Sequence, residues 1–365
     1  MKFRCERDTL ADALTTAQRA VTSRTGALPV LSGLRITATP DSVELVGSDL
    51  ELTIRVQVPV HGETEGVAVV PARLLGDIVR NLESSAVTIE VDGDDVKIVG
   101  GRSSFILRLL PGEDFPQLPQ VAGASARVAA PALAEALRQV IPAASKDDAR
   151  PILTGVLLTA ITGGLRLVAT DSYRLAVRDL QGVSMLGEGQ HVLVAAKGLS
   201  EVQRLLAEGD IDVTLSEREV KFAVANAEIT TRLIEGEFPN YEQLIPSGYP
   251  NRLTVDHDVL DAAVKRVRLV GQGRDSSPIR LAMSAEGVEL SAVAQEIGEA
   301  REAVEAKFEG TDLTVAFNSE YLLDGIQAVG GSEVVLESLD PLKPATLRAV
   351  DSIGFLYLLM PVRIS

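Results

Sequence analysis

Val70-Pro71-Ala72-Arg73-Leu74-Leu75 opens a strand-to-helix passage that occurs twice more in the chain. The counterparts begin at Val194, 124 residues further on, and at Phe317, another 123 residues on. After each start, apolar residues recur at steps of three and four, as on one face of an amphipathic helix. A repeat of this length is the size of a domain and exceeds the roughly 20–50 residues of a solenoid unit. The 365-residue chain is therefore predicted to be three copies of one domain.

The copies share one internal order of elements. Each copy begins with another amphipathic helix, its first helix, predicted over residues 10–21, 133–144 and 260–270. The helix of the strand-to-helix passage is the second helix of the copy. Strands with alternating apolar residues follow, and residues 87–91 and 96–99 form the best predicted hairpin, with a solvated turn at Asp92-Gly93-Asp94-Asp95. Hairpins imply antiparallel sheets, so the class is α+β, with helices on one face of each sheet.

Composition and motifs argue against an enzyme. His61, His191 and His257 are isolated, and the sequence holds neither a phosphate-binding loop nor a nucleophile elbow. Thr170-Asp171-Ser172-Tyr173-Arg174 is the densest polar cluster, and we interpret it as a turn in which Asp171 caps backbone N–H groups. The single cysteine, Cys5, is predicted to pack in a core. We expect no catalytic residue, no metal and no cofactor.

The expected compartment is the cytoplasm. The N-terminus lacks the apolar segment of a signal peptide. No run of about 20 apolar residues is present for crossing a membrane.

The charge of the chain initially argues against nucleic acid as a partner, because 35 basic and 51 acidic residues give a net charge of −16. Its distribution changes that conclusion. The six helical stretches (residues 7–21, 71–82, 131–145, 196–206, 256–270 and 319–329) carry net charges of 0, +1, 0, +1, 0 and −2, so the whole excess lies in strands and loops. Arg73 and Arg80 are seven residues apart on one helix face, and Lys197 and Arg204 repeat that spacing. Two interpretations remain open: an ordinary solvated surface, or a basic face that contacts phosphates without reading bases.

Several segments together resemble one protein family over the whole chain: Met1-Lys2-Phe3, Leu28-Pro29-Val30-Leu31, Val70-Pro71-Ala72-Arg73, Gly101-Arg102-Ser103, Asp114-Phe115-Pro116, residues 169–176, Phe238-Pro239-Asn240-Tyr241, Phe317-Asn318 and Leu359-Met360-Pro361-Val362-Arg363. The chain resembles the bacterial DNA polymerase III beta subunits, the sliding clamps. The resemblance implies three repeated clamp domains, at residues 1–122, 123–248 and 249–365. It also implies a head-to-tail homodimer, a ring with its sheets outside and two helices per domain lining the lumen.

The function implied by the resemblance is that of a DNA polymerase processivity factor. Such a ring encircles duplex DNA, slides along it without reading sequence, and tethers the replicative polymerase, the clamp loader and other replication and repair proteins that carry a clamp-binding motif. We expect no membrane partner. Two alternatives remain: a triplicated-domain protein-binding adaptor that does not encircle DNA, and an undetected enzyme.

The resemblance also suggests residues for three sites. Contacts to DNA are expected from Arg24, Arg73, Lys146, Arg150, Lys197 and Arg204. The pocket for partner peptides is expected to comprise Leu153, Thr170, Ser172, Tyr173, Arg174, Leu175, Pro239, Leu244, Pro344, Leu358, Met360, Pro361, Val362 and Arg363. The dimer interface is expected at a strand containing Phe105 and Leu107 and at a stretch containing Leu269 and Val270, which the partner's strand would meet. Tyr173 and Gln243 depart from the family pattern, which has a smaller histidine and a basic residue at these positions.

Overall fold

The computed structural model describes residues 1–22, 28–118, 120–246, 248–271, 278–294, 297–350 and 354–363. These residues form six α-helices and 26 strands, and every strand pairing among them is antiparallel. The predicted α+β class with antiparallel sheets is therefore confirmed.

The elements follow the predicted triplication. The first repeat contains β1 (Lys2–Glu6), α1 (Arg7–Gln18), β2 (Gly33–Ala38), β3 (Ser42–Ser48), β4 (Leu52–Pro59), β5 (His61–Thr64), β6 (Gly66–Pro71), α2 (Ala72–Asn81), β7 (Ala86–Asp92), β8 (Asp95–Gly100) and β9 (Ser103–Arg108). The second contains β10 (Ala124–Ala129), α3 (Ala130–Val140), β11 (Gly155–Ile161), β12 (Gly164–Thr170), β13 (Arg174–Gln181), β14 (His191–Ala195), α4 (Ala196–Leu205), β15 (Asp210–Leu215), β16 (Glu219–Val224) and β17 (Ala227–Arg232). The third contains β18 (Asn251–Asp256), α5 (His257–Val267), β19 (Pro278–Ser284), β20 (Gly287–Ala294), β21 (Gly298–Val304), β22 (Lys307–Glu309), β23 (Leu313–Asn318), α6 (Ser319–Ala328), β24 (Glu333–Ser338), β25 (Ala345–Ala349) and β26 (Phe355–Leu359).

All six predicted helices are present, and the predicted hairpin forms with Asp92 opposite Asp95. The first helix of each repeat begins and ends about three residues earlier than the apolar period predicts. In the third repeat the last predicted residues instead form a separate 3₁₀ helix, Arg268–Gly271. Cys5 is buried in β1 as predicted, and burial raises the pKa of its thiol.

The chain separates into two compact units. The first comprises residues 1–130 and 200–233, and its sheets have the strand orders β5-β1-β7-β8-β9 and β10-β15-β16-β17-β4-β3-β2-β6. The second comprises residues 131–199 and 234–365, with the orders β14-β11-β12-β13-β26-β25-β24-β18-β22 and β21-β20-β19-β23. Because the units divide the second repeat between them, the domain boundaries at 122/123 and 248/249 stay a prediction.

Two sheets join consecutive repeats by the same rule. In the first unit, β17, the last strand of the second repeat, pairs with β4 of the first repeat. In the second unit, β26, the last strand of the third repeat, pairs with β13, the counterpart of β4 in the second repeat. In both sheets, the last strand of one repeat therefore pairs with β4, or with the counterpart of β4, in the preceding repeat.

A tight turn precedes β4 and recurs before β13. The Asp49 carboxylate accepts hydrogen bonds from the backbone N–H groups of Glu51 (3.1 Å) and Leu52 (2.7 Å). The Asp171 carboxylate accepts from those of Tyr173 (2.9 Å) and Arg174 (3.0 Å), which confirms the predicted cap. The residue after each aspartate, Leu50 or Ser172, is left-handed, with φ of 75° or 82°. The turns differ where the strand begins, because Leu52 is an apolar core residue and Arg174 a buried cation.

No helix among the described residues combines the length and the apolar character needed to cross a membrane.

Candidate partner pocket and DNA-facing helices

The candidate pocket forms where the chain's last strand meets β13 in the second unit. Arg174 lies opposite Leu359 and Leu175 opposite Leu358 in the ladder. Just beyond β26, the backbone N–H of Met360 donates to the carbonyl of Tyr173 at 2.9 Å. The structure thus brings together two predicted pocket segments that are far apart in sequence, residues 170–175 and 358–360.

The predicted pocket segments contain both buried and exposed apolar residues. Leu175 and Leu358 belong to a core cluster that includes Tyr241, a residue missing from the predicted set. Among the other predicted residues, Leu244 and Met360 are exposed, and Tyr173 is 58 % exposed. Exposed apolar side chains are typical of a surface that takes up apolar groups from a ligand.

Arg174 occupies the center of a buried polar network. It is only 4 % exposed, and its Nε donates to the Asp171 carboxylate at 2.9 Å. Its Nη1 donates to the Asp324 carboxylate on α6 at 2.5 Å and to the Tyr357 hydroxyl at 3.5 Å. Its guanidinium lies over the Tyr321 ring, 4.2 Å from the ring center. A guanidinium held on all sides in this way fixes the pocket wall to α6.

Electrostatics keep this arginine charged. Burial by itself lowers the pKa of Arg174, but the hydrogen bonds that its guanidinium donates to Asp324 and to the Tyr357 hydroxyl, together with the negative charge of Asp171, outweigh burial, so the pKa is raised. Burial also raises the pKa of the Tyr357 phenol, which stays neutral and donates to the Tyr321 carbonyl at 2.9 Å.

The sequence reasoning missed three partners of Arg174: Tyr321, Asp324 and Tyr357. The repeat identifies Asp324 as the counterpart of Asp77, because each follows its strand-to-helix start by seven residues, but this spacing does not predict the contact with Arg174. Tyr321 also stacks on Tyr173, with ring centers 6.5 Å apart and planes at 29°.

The remaining predicted pocket residues all lie in the same compact unit. Thr170 is buried, and its hydroxyl donates to the Arg174 carbonyl at 2.7 Å. The others show a mixture of burial: Leu153 is buried, Pro344, Pro361 and Val362 are half-buried, and Ser172, Pro239 and Arg363 are exposed.

Three of the predicted DNA-contacting residues lie on the second helix of their repeat, which is α2 or α4. The Arg73 side chain on α2 is 96 % exposed, and Lys197 and Arg204 on α4 are also exposed. Arg24 lies outside the described residues. Lys146 and Arg150 are exposed on the loop after α3.

Arg150 also contacts the pocket turn. Its Nε donates to Asp147 at 2.9 Å, and its Nη1 lies 3.4 Å from the Asp171 carbonyl. This arginine therefore borders the candidate pocket, a position that the sequence did not indicate.

The two predicted dimer-interface segments have different local structures, and the interface itself stays a prediction. Phe105 and Leu107 lie on a strand as predicted, and β9 is an outer strand of its sheet. The stretch with Leu269 and Val270 forms no strand, however, because it is the 3₁₀ helix Arg268–Gly271. The four-stranded sheet of the third repeat has β21 and β23 as its outer strands.

Family comparisons agree with this architecture along nearly the whole chain. Three family models match in order: the DNA polymerase III beta subunit N-terminal domain at residues 1–119, its central domain at 127–240 and its C-terminal domain at 242–363. The beta sliding clamp of Streptomyces coelicolor is 37 % identical, and that of Staphylococcus aureus is 33 % identical. The alignments cover all of this chain and 100 % and 99 % of those relatives.

Solved structures show the same fold. The sliding clamp of Bacillus subtilis aligns with a TM-score of 0.92 at 30 % identity, and that of Bartonella birtlesii, solved with griselimycin bound, with 0.93 at 32 % identity. Both alignments cover 100 % of each chain.

The class is thus a clamp built from three repeated domains. More specifically, the chain belongs to the bacterial DNA polymerase III beta subunit family, the beta sliding clamps. It is a non-catalytic processivity factor of DNA polymerase, and a ring around DNA is typical of its family.

Replacing Arg174 tests the buried network. Arg174→Ala leaves two carboxylates, Asp171 and Asp324, without their shared guanidinium, and breaking a buried pair typically lowers the free energy of unfolding by about 3–5 kcal/mol. Arg150→Ala, which removes an exposed cation nearby, should change it by less than about 1 kcal/mol. Calorimetry is the suitable measurement, because the chain has no tryptophan. Equal melting temperatures for the two variants would contradict the structural role of Arg174.

Proposed function

We propose that two copies of this chain close head to tail into a ring around duplex DNA, and that the pocket at β13 and β26 tethers partner proteins. The ring is inferred mainly from two outer strands of the described sheets, β9 and β21. Within the chain, the last strand of a repeat joins the counterpart of β4 in the preceding repeat. β9 is the last strand of the first repeat and β21 is the third repeat's counterpart of β4, and each is an outer strand of its sheet.

Strand numbers support this junction. The five-stranded sheet ending in β9 and the four-stranded sheet ending in β21 would together make nine strands, as in the nine-stranded sheet of the second unit. Unpaired edges favour pairing with another chain. One chain offers one edge of each kind, so two chains can satisfy both edges in a closed head-to-tail dimer.

The exposed side chains near these edges support an interface. Ile106 on β9 is 67 % exposed and its neighbour Phe105 is also exposed. Beside β21, Leu269 and Ile297 are exposed as well. We assign Leu269 and Val270 to this interface as flanking contacts, together with Phe105 and Leu107.

The charge distribution supports DNA inside such a ring. Arg73, Lys197 and Arg204 stand on second helices, and the acidic excess lies in strands and loops. Non-specific electrostatic binding is weak, with Kd of about 10⁻⁴–10⁻⁶ M at physiological salt. A closed ring is retained on DNA by topology, so contacts of this strength suffice and allow sliding.

We propose that Tyr173, Leu244 and Met360, which are all exposed, form an apolar rim through which the pocket tethers partner proteins. Its expected occupants are short segments of the replicative polymerase, the clamp loader and other proteins with a clamp-binding motif. The proposed compartment is the cytoplasm, where the bacterial chromosome is replicated.

The ring is tested by a charge on the β9 edge. Ile106→Lys should convert the dimer of about twice 38.7 kDa into a monomer, because a lysine on an edge strand opposes pairing. Val67→Lys provides the control, since Val67 is exposed on another strand, β6. Analytical ultracentrifugation below micromolar concentration measures the mass. A dimeric Ile106→Lys variant would overturn the proposed edge.

The DNA face is tested by the double variant Arg73→Ala with Lys197→Ala. The slope of log K against log salt should become shallower by about 0.9 for each phosphate contact that is removed. Arg127→Ala with Lys307→Ala removes the same charge from strands and should leave the slope unchanged.

A topological assay separates the ring from the adaptor alternative. After loading, the ring should remain on circular DNA and leave linear DNA through its ends. Equal release from both DNAs would favour an adaptor that does not encircle DNA.

We further propose that griselimycin, the compound bound in the Bartonella birtlesii clamp structure, occupies this pocket, and we use it as the probe. Met360→Asp places a charge at the apolar rim and should weaken griselimycin binding at least about tenfold, because an unpaired charge would have to be desolvated. Val259→Asp, an equivalent change at an exposed apolar residue on α5, should bind normally. Calorimetric titration measures Kd, and unchanged binding by Met360→Asp would reject this rim.

A further inference from the structure

On each of the helices α2 and α4, an acidic residue lies between two basic residues. On α2, Asp77 lies four residues after Arg73 and three before Arg80. On α4, Glu201 lies four residues after Lys197 and three before Arg204, a displacement of 124 residues for every member of the pattern. Since residues three and four apart are neighbours on a helix surface, each carboxylate stands between cations.

The contacts confirm that each carboxylate serves two arginines. One oxygen of Asp77 accepts a short hydrogen bond from Arg80, and the other lies 4.0 Å from Nε of Arg73. One oxygen of Glu201 lies 3.6 Å from Nη1 of Arg19 and 3.8 Å from Nε of Arg204. The Glu201 side chain is only 14 % exposed, whereas that of Arg204 is largely exposed.

The third repeat retains the carboxylate with a different partner. Asp324 occupies the equivalent position on α6, but Glu320 and Gln327 replace the flanking cations. Asp324 instead binds Arg174. The arrangement of a carboxylate between two cations thus occurs on α2 and α4, the helices that carry the proposed DNA-contacting residues.

We infer that Asp77 and Glu201 act as positioning counter-ions that weaken the grip of Arg73, Arg80 and Arg204 on DNA phosphates. The inference rests on the proposed DNA face. A carboxylate about 4 Å from a guanidinium opposes its field at a phosphate, and it occupies donors that a phosphate would accept from. Because sliding requires each phosphate contact to break, this opposition lowers the friction of the ring on DNA without weakening its topological hold.

The experiment removes each carboxylate without changing its size. Asp77→Asn and Glu201→Gln are compared with Asp92→Asn, which changes the net charge equally at an exposed turn between β7 and β8. Binding to a short open-ended duplex is measured against salt, and diffusion of the loaded ring is tracked on stretched DNA.

For each additional phosphate that the released arginines neutralise, the slope of log K against log salt should steepen by about 0.9. When salt is lowered from 200 to 50 mM, the affinity of the variant should therefore rise about 3.5-fold more than the affinity of the Asp92→Asn control. The loaded Asp77→Asn ring should also diffuse more slowly than the Asp92→Asn ring.

A background without the arginines identifies the route of the effect. In a chain carrying Arg73→Ala and Arg80→Ala, adding Asp77→Asn should leave the slope and the diffusion unchanged, because the cations through which it acts are gone. A merely helix-stabilising aspartate would alter the melting temperature and leave the slope equal to that of Asp92→Asn, which would overturn the inference. If Arg73→Ala with Lys197→Ala also left the slope unchanged, the proposed DNA face itself would fail.

Discussion

Antiparallel main-chain pairing between repeats is the constraint on which the rest of the structure depends. The ladders of β17 with β4 and of β26 with β13 each satisfy two strand edges that would otherwise face water or another chain. Among the outer strands of the described sheets, β9 and β21 are the ones that correspond to the paired strands of these two ladders, and we propose that they pair between chains in the same way. The candidate pocket depends on main-chain pairing as well, because the ladder of β13 with β26 brings Met360 beside Tyr173.

The second repeat differs from the first at the residue where this ladder begins. Both repeats have a tight turn capped by an aspartate, but the first continues with buried Leu52 and the second with buried Arg174. A lone buried guanidinium would be strongly unfavourable, and two carboxylates with an aromatic ring compensate for it. In the second repeat, the residue that begins the strand therefore also connects the turn to α6 through Asp324 and to the C-terminal strand through Tyr357.

Sequence period and spacing were enough to predict the α+β class, the triplication and all six helices, because each depends on local apolar patterning. Arg174 was predicted for the pocket, but its partners Asp324 and Tyr357 were missed, since contacts over 150 and 183 residues follow from strand pairing rather than from local spacing. Leu269 and Val270 show what the family resemblance could not predict. Resemblance indicated the region, but not that it forms a 3₁₀ helix while β21 forms a sheet edge.

Net charge is informative here only when it is divided among structural elements. A total of −16 describes no surface of the molecule, since the helical stretches sum to zero and the acidic excess lies elsewhere. Even within α2 and α4, cations and carboxylates alternate closely enough that Arg73 and Arg204 each have a carboxylate at about 4 Å. A processivity factor must remain on DNA and also move along it, and attraction alone cannot meet both requirements. Ring closure can supply retention, so the charge pattern is free to favour weak and reversible contact with phosphates.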